Sequence, residues 1–381
     1  MIKRDSFLSY GRQWIDEDDI ATVVETLRSP FLTQGPKVAE FENAIANYVG
    51  AKYAVAFSNG TAALHGACYT AGISAGDEVI TSPITFAATS NAVLYCGGTP
   101  VFADIDKKTY NLNSKEVRKR ITNKTRAIIP VDFTGQPVDL DAFLEIAEKQ
   151  NIVVIQDGAH SLGATYKGRK VGTQAHMTMF SFHPVKPITT GEGGVITTNS
   201  IHFAEKLRQF RSHGISKTPY SVEQGDWYYE MTDLGYNYRM NDIQAALGLS
   251  QLQKIDGFIK RRREIASIYT RTLKNIQGII LPEQLTDTES GWHLYMIQLD
   301  SSRLKKSRRE IFNKMRELNI GVHVHYIPVY WHPYYQKLGY KKGICPIAEN
   351  WYKQTMTLPI HPSMSDGDVN DVVEALKVVV R

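Results

Sequence analysis

Between residues 50 and 215 the apolar residues come in short, nearly unbroken runs: YAVAFS (53–58), EVITS (78–82), TPVFADI (99–105), RAIIPVDF (126–133), IVVIQD (152–157), MTMFSF (177–182) and GVITT (194–198). A strand that is apolar on both faces belongs in a sheet that is covered on both sides. Between most of these runs lie stretches with helical spacing, such as GTAALHGACYTAG, FAATSNAVLYCGG and DLDAFLEIAEKQN. The alternation predicts an α/β fold around a large, mostly parallel seven-stranded sheet.

Near residue 240 the rhythm changes. NDIQAALGLSQLQKIDGFIKRRREIASIYTRTLKNI has apolar residues three and four apart and predicts one or two long amphipathic helices. A strand (WHLYMIQL, 292–299), a helix (about 305–318), a second strand (GVHVHYIP, 321–328) and a helix from SDGDVNDVVEAL should follow. The chain therefore divides into a large domain, 1–250, and a small α+β C-terminal domain, 251–381.

Composition adds exclusions more than chemistry. The chain has 381 residues, 43% of them apolar and 22% charged, with a net charge of +5. A charge that thin does not call for nucleic acid, and the densest basic run, KRRRE (260–264), is expected on a solvated helix face. Three scattered cysteines (Cys68, Cys96, Cys345) make neither a disulfide framework nor a metal spacing. MIKRDSFLSYGRQW lacks the apolar core of a secretion signal, and no apolar run approaches a membrane span. The expectation is a cytoplasmic protein with no metal and no membrane or nucleic-acid partner.

Four features of the sheet domain carry chemistry. In SFHPVKPITTGEGG (181–194), Lys186 lies between Pro184 and Pro187, which restrict the backbone on both sides. A positioned, desolvated lysine is what a Schiff base requires. Asp157 ends the strand IVVIQD, where α/β sheets place ligands, and a carboxylate there can pair with a pyridinium nitrogen as readily as cap a helix. SNGTAAL (58–64) passes from strand to helix through glycine. Its free N–H groups and the Thr61 hydroxyl suit a phosphate, with Ser181 a further ligand. Phe86, in SPITFAATSN, can lie over a planar ring or pack in the core, and His160 has the same double reading. Together the four form a parts list for pyridoxal 5'-phosphate: phosphate seat, ring cover, ring-nitrogen partner and Schiff-base lysine.

Over nearly its whole length the chain resembles the DegT/StrS family of nucleotide-sugar aminotransferases. The motifs that carry the likeness include SPFLTQGPKVAEFE, SNGTAALHGA, QDGAHSLGATYKGRKVG, FSFHPVKPITTGEGG, LGYNYRMNDIQAALGLSQL and HVHYIPVYWHPYY. The resemblance implies fold type I of the pyridoxal-phosphate enzymes, the aspartate-aminotransferase-like fold. It makes Lys186 the Schiff-base lysine and Asp157 the ring-nitrogen partner. Gly60, Thr61 and Ser181 would hold the phosphate, with Phe86 against the ring and His160 beside it. Asn237 would reach the phosphate from a second subunit, so a homodimer with shared sites is expected. Tyr10, the loop Pro30, Phe31, Leu32, Thr33, and Asn59, Ser181, Asn237, Val324, His325, Tyr326 and Ile327 would bracket a nucleotide sugar.

L-Glutamate would be the amino donor. SFHPVKPITTGEGG, NDIQAALGLSQLQK and VHYIPVY are similar to the branch of the family that aminates a UDP-linked 4-keto-6-deoxy N-acetyl hexose for pseudaminic acid. A GDP- or dTDP-linked 4-keto sugar is the alternative. Two remoter readings are a sugar dehydratase, which would carry histidine where this chain has Lys186, and a DNA-binding regulator with LGLS as the turn of a helix-turn-helix.

Overall fold

The computed structural model describes residues 3–381. All seven predicted runs form strands of one sheet: β1 (Tyr53–Phe57), β2 (Glu78–Thr81), β3 (Thr99–Phe102), β4 (Thr125–Ile129), β5 (Val153–Asp157), β6 (Met177–Ser181) and β7 (Gly194–Thr198). Their order is β1-β7-β6-β5-β4-β2-β3. β7 runs antiparallel to both neighbours, and every other pairing is parallel. The C-terminal ends of β5, β6 and β1 therefore open on the same edge, and the loops that leave them build the site.

Helices cover both faces, as the doubly apolar strands require. α1 (Glu17–Arg28) and α2 (Pro36–Val49) precede the sheet, and α3 (Gly60–Thr70), α4 (Ala88–Tyr95) and α5 (Leu140–Gln150) connect its strands. α3 starts where Asn59 caps it, its side-chain oxygen accepting from the Ala62 N–H at 2.8 Å. One core layer joins β1, β5 and β6 to α3 and α4, and another packs α2 against the opposite face.

The predicted long helical stretch is a single helix, α6 (Asp242–Leu273), of 32 residues. Asn241 and Gln244 form its capping box, and the Asp242 carboxylate accepts from the N–H groups of Gly35 and Lys37. LGLS is uninterrupted helix, so no helix-turn-helix exists there. Gly248 lets α2 approach: a Cβ on it would come within 2.7 Å of the Phe41 ring. Ala245, Ile255 and Ile259 of α6 belong to the core of the large sheet, while Ile265, Tyr269 and Leu273 belong to a second core. The hand-over falls near residue 260, and the helix crosses residue 250 without a break.

That second core is built on an antiparallel sheet of β8 (Ile279–Ile280), β9 (Tyr295–Leu299) and β10 (Thr355–Leu358), covered by α7 (Arg308–Glu317) and α8 (Asp366–Val380). Leu8 is buried in it and bridges to Ile320, so the N-terminal segment returns to this end of the molecule.

Two expectations are corrected here. GVHVHYIP does not form a strand; it is extended and makes one isolated bridge, His323 to Thr357. His323, His325 and Tyr326 face the cavity described below, while Val322 is buried in the second core. The basic run 260–264 is not wholly solvated. Arg262 is 1% exposed and donates to the carbonyls of His293 at 3.3 Å and Ile360 at 2.9 Å. Among the described residues no helix is long and apolar enough to cross a membrane.

Candidate active site

The strand ends and the second core enclose a cavity of about 780 Å³. Eleven of the residues singled out from the sequence line it: Tyr10, Asn59, Gly60, Thr61, Phe86, Asp157, His160, Ser181, Lys186, His325 and Tyr326. They arrive from six separate segments of chain, and chain order alone brings none of those segments together.

Lys186 sits in the loop between β6 and β7, whose turn closes with the Lys186 N–H donating to the His183 carbonyl at 2.9 Å. The glycines after it allow close packing. A Cβ on Gly194 would meet the Asn59 carbonyl oxygen at 2.6 Å, and one on Gly193 would meet Thr190 Oγ1 at 2.2 Å. The lysine loop is thereby seated against the start of α3. Lys186 keeps some surface facing the cavity, but the surrounding protein strips its ammonium of water. Burial lowers its pKa to about 8, and the Asp157 carboxylate opposes the drop.

Asp157, the last residue of β5, is 3% exposed. Burial raises its pKa. Donors from Thr89 Oγ1 (2.7 Å) and the Ala159 N–H (3.2 Å) pull the other way, as does the charge of Lys186. Burial thus moves both members of this pair towards their neutral forms. His160 is 4% exposed, and burial followed by the Lys186 charge holds its pKa well below the usual imidazole range. Among the described residues its Nδ1 has no hydrogen-bond partner.

At the start of α3, Gly60 lies directly against Ser181, and a Cβ on it would reach that residue's Cβ and Oγ at 3.1 Å. A helix N-terminus leaves its first N–H groups unsatisfied and carries the positive end of the helix dipole. The cleft between Gly60, Thr61 and Ser181 is therefore a seat for an anion. Phe86 is 64% exposed, with its ring 6.2 Å from that of Tyr326. His325 donates to or accepts from Thr357 Oγ1 at 2.9 Å, and burial, then His323 and Lys186, bring its pKa down to about 3. Tyr10 packs on both His323 and His325, with centroids 5.0 Å apart.

Seven other singled-out residues lie outside this cavity in the single chain. Val324 and Ile327 flank the two residues that face inward. Pro30, Phe31, Leu32 and Thr33 form an exposed loop whose Leu32 carbonyl accepts from the Asp242 N–H. Asn237 bridges to Ser212. Sequence reasoning missed Thr85, Thr89 and His293, which line the cavity. The spacing of Thr85 and Thr89, four residues apart around Phe86, was a usable signal for the first two. His293 comes from the loop before β9, and nothing local marks it.

The parts suit pyridoxal phosphate on the structure's own terms. The start of α3 leaves backbone N–H groups free where a phosphate could sit, His160 Nδ1 has no hydrogen-bond partner among the described residues, and a buried carboxylate and a lowered lysine share one cavity. Residues 13–377 match the model of the DegT/DnrJ/EryC1/StrS aminotransferase family. The chain belongs to that family. It is a pyridoxal-phosphate-dependent transaminase. It is 45% identical over 383 residues to the spore coat polysaccharide biosynthesis protein SpsC of Bacillus subtilis, covering 100% of this chain and 98% of that one. It is 38% identical to the UDP-4-amino-4,6-dideoxy-N-acetyl-beta-L-altrosamine transaminase of Campylobacter jejuni over 97% and 96% of the two chains. The structure of Helicobacter pylori PseC, an aminotransferase involved in the biosynthesis of pseudoaminic acid, superposes with a TM-score of 0.92 at 33% identity, covering 98% and 99%. The α/β fold expected from the motifs is thus shared with PseC over 98% of this chain.

Proposed function

We propose that this transaminase moves the amino group of L-glutamate to C4 of a nucleotide-linked 4-keto sugar. The substrate we favour is the UDP-linked 4-keto-6-deoxy N-acetyl hexose, UDP-2-acetamido-2,6-dideoxy-beta-L-arabino-hex-4-ulose, on the route to pseudaminic acid. The observation that carries the chemistry is the lowered amine of Lys186 in one cavity with the buried carboxylate of Asp157. The sugar is supported by the likeness to the Campylobacter jejuni transaminase and to PseC.

When bound, pyridoxal phosphate supplies an aldehyde carbon and a ring that withdraws electrons from the carbon being deprotonated. Lys186 would hold it through its side-chain amine, and that amine, once free, would take the proton from the α-carbon of glutamate. In the second half of the cycle that amine returns a proton to C4 of the sugar. General acid–base transfer of this kind is worth roughly 10²–10⁴ in rate. Asp157 would pair with the ring nitrogen, with His160 beside the ring. Gly60, Thr61 and Ser181 would hold the phosphate and Phe86 would lie against the ring. Tyr10, Asn59, His325 and Tyr326 face the sugar nucleotide. In a homodimer, Asn237 of each chain would reach the neighbour's phosphate site, which accords with its position outside the single-chain cavity, and the loop 30–33 would bracket the sugar nucleotide. One substrate leaves before the other enters, so ping-pong kinetics follow.

The test presents purified protein and glutamate with 4-keto sugar nucleotides and identifies the aminated product by NMR. A C4-amino UDP-sugar with consumption of one glutamate supports the reading; no amination of any keto sugar sinks it. The higher identity to the spore coat protein favours including dTDP- and GDP-linked 4-keto sugars, because that relative's name indicates a different polysaccharide.

A further inference from the structure

Asp157 is gripped by donors from two different elements. Thr89 Oγ1, in the first turn of α4, donates to Oδ2 at 2.7 Å, and the Ala159 N–H donates to Oδ1 at 3.2 Å. Behind Thr89 stands Thr85, with its Oγ1 2.8 Å from that of Thr89. All three side chains are buried and all three line the cavity.

Proton counting gives this chain a direction. A threonine hydroxyl has one proton to donate. With Thr89 donating to the carboxylate, the hydrogen bond behind it must run from Thr85 to Thr89. A proton on Oδ1 of Asp157 would face the Ala159 N–H. A proton on Oδ2 would require both hydroxyls to reverse. The arrangement as it stands is the one that suits the anion.

Other groups face the same carboxylate. Lys186 lies across the cavity and favours the charge. Asp132, beyond the end of β4, opposes it, and Tyr326 and His160 face the same cavity uncharged. Among the described residues only Lys186 therefore offsets the cost of burying Asp157 by charge, and it is also the amine that must come and go during the reaction. A neutral relay that does not move is a steadier support.

We propose that Thr85 and Thr89 are positioning residues for Asp157: a two-hydroxyl relay that aims its carboxylate into the cavity and holds it as the anion throughout the catalytic cycle. The proposal rests on the reading of Asp157 as the cofactor's ring-nitrogen partner. The segment TFAAT then does two things at once. Phe86 would lie against the ring, while Thr89, backed by Thr85 four residues before it, reaches the carboxylate.

The experiment compares the loaded wild-type enzyme with Thr89→Val, Thr89→Ser, Thr85→Val and Asp157→Asn. Two readouts are taken: the single-turnover rate with L-glutamate, and the pH titration of the bound cofactor's absorbance. Losing a hydrogen bond to a charged group corresponds to a rate loss of about 10- to 100-fold. Thr89→Val should show that loss together with a displaced titration. Thr89→Ser should restore both, and Thr85→Val should fall between. If Thr89→Val and Thr85→Val match the wild type while Asp157→Asn is slow, the relay is wrong and the role of Asp157 stands. If Asp157→Asn is itself unimpaired, the underlying reading fails and the relay with it. Should Thr89→Val not fold, Thr85→Val decides by the same two readouts. A variant that only melts earlier, with rate and titration unchanged, overturns the proposal in favour of a packing role.

Discussion

A methyl group on Gly60 would lie 3.1 Å from both Cβ and Oγ of Ser181. The first helical residue of α3 and the last residue of β6 are thus in contact across the anion seat, with no room for a side chain between them. Gly60→Ala should therefore leave the fold intact and push Ser181 out of place by a few tenths of an ångström. The expected outcome is weaker retention of pyridoxal phosphate, by roughly tenfold for one lost phosphate hydrogen bond. Equilibrium dialysis of the cofactor checks it, and unchanged retention would show that the seat lies elsewhere.

Lys186 carries a prediction about pH. With its pKa lowered to about 8 by burial, about half of the amine is neutral at pH 8, against well under 1% for an ordinary lysine. Cofactor uptake by the apoprotein, trapped with borohydride, should rise with a midpoint near 8 and label the peptide that contains Lys186. Lys186→Ala should abolish both label and turnover. Because the folded state holds fewer protons here than the unfolded chain between about pH 8 and 10.5, this residue's contribution to stability grows as pH rises through that window.

Asp132 predicts the opposite slope at lower pH. It is fully buried beside Asp157, accepts from Ser161 Oγ at 2.6 Å and from the Gln156 amide, and burial raises its pKa to about 7. Between about pH 4 and 7 the folded protein therefore binds protons that the unfolded chain has released. Stability from this group is full at low pH and declines as pH rises towards 7. Urea midpoints at pH 5 and pH 7.5 should differ less for Asp132→Asn than for the wild type. An identical difference in both would remove Asp132 as the cause.

Arg262 ties α6 to the loop that carries His293. Among the described residues its guanidinium has no carboxylate partner, and it serves the carbonyls of His293 and Ile360. Arg262→Ala would leave a cavity and unpaired carbonyls in a buried place, a loss of about 3 kcal/mol or more. Thermal denaturation of the variant measures it. A change of under 1 kcal/mol would mean that water replaces the guanidinium without penalty.

The seven strands were legible because each is apolar on both faces, and that pattern survives in any fold that covers the sheet twice. Long α6 was legible from its spacing, although its passage through two cores was not. GVHVHYIP misled for a physical reason. β-branched and aromatic residues suit a strand, yet here Val322 packs in the second core while His323, His325 and Tyr326 line a cavity, and propensity does not distinguish a sheet neighbour from either. Arg262 misled because a basic run is ordinarily solvated, and only the carbonyls of distant loops explain its burial.

The sequence by itself determined the parts: Lys186 between its prolines, Asp157 at a strand end, the glycine turn before α3 and the aromatic after β2. Each is a local matter of backbone geometry and residue chemistry, so each can be read in place. What only the tertiary structure decided is how they act on one another. Burial near Asp157 brings the Lys186 amine down, Gly60 meets Ser181, and Thr89 reaches the carboxylate from a helix 68 positions away in the chain. Such effects depend on distance and on the exclusion of water, and those exist only once the sheet has brought separate loops to a single edge.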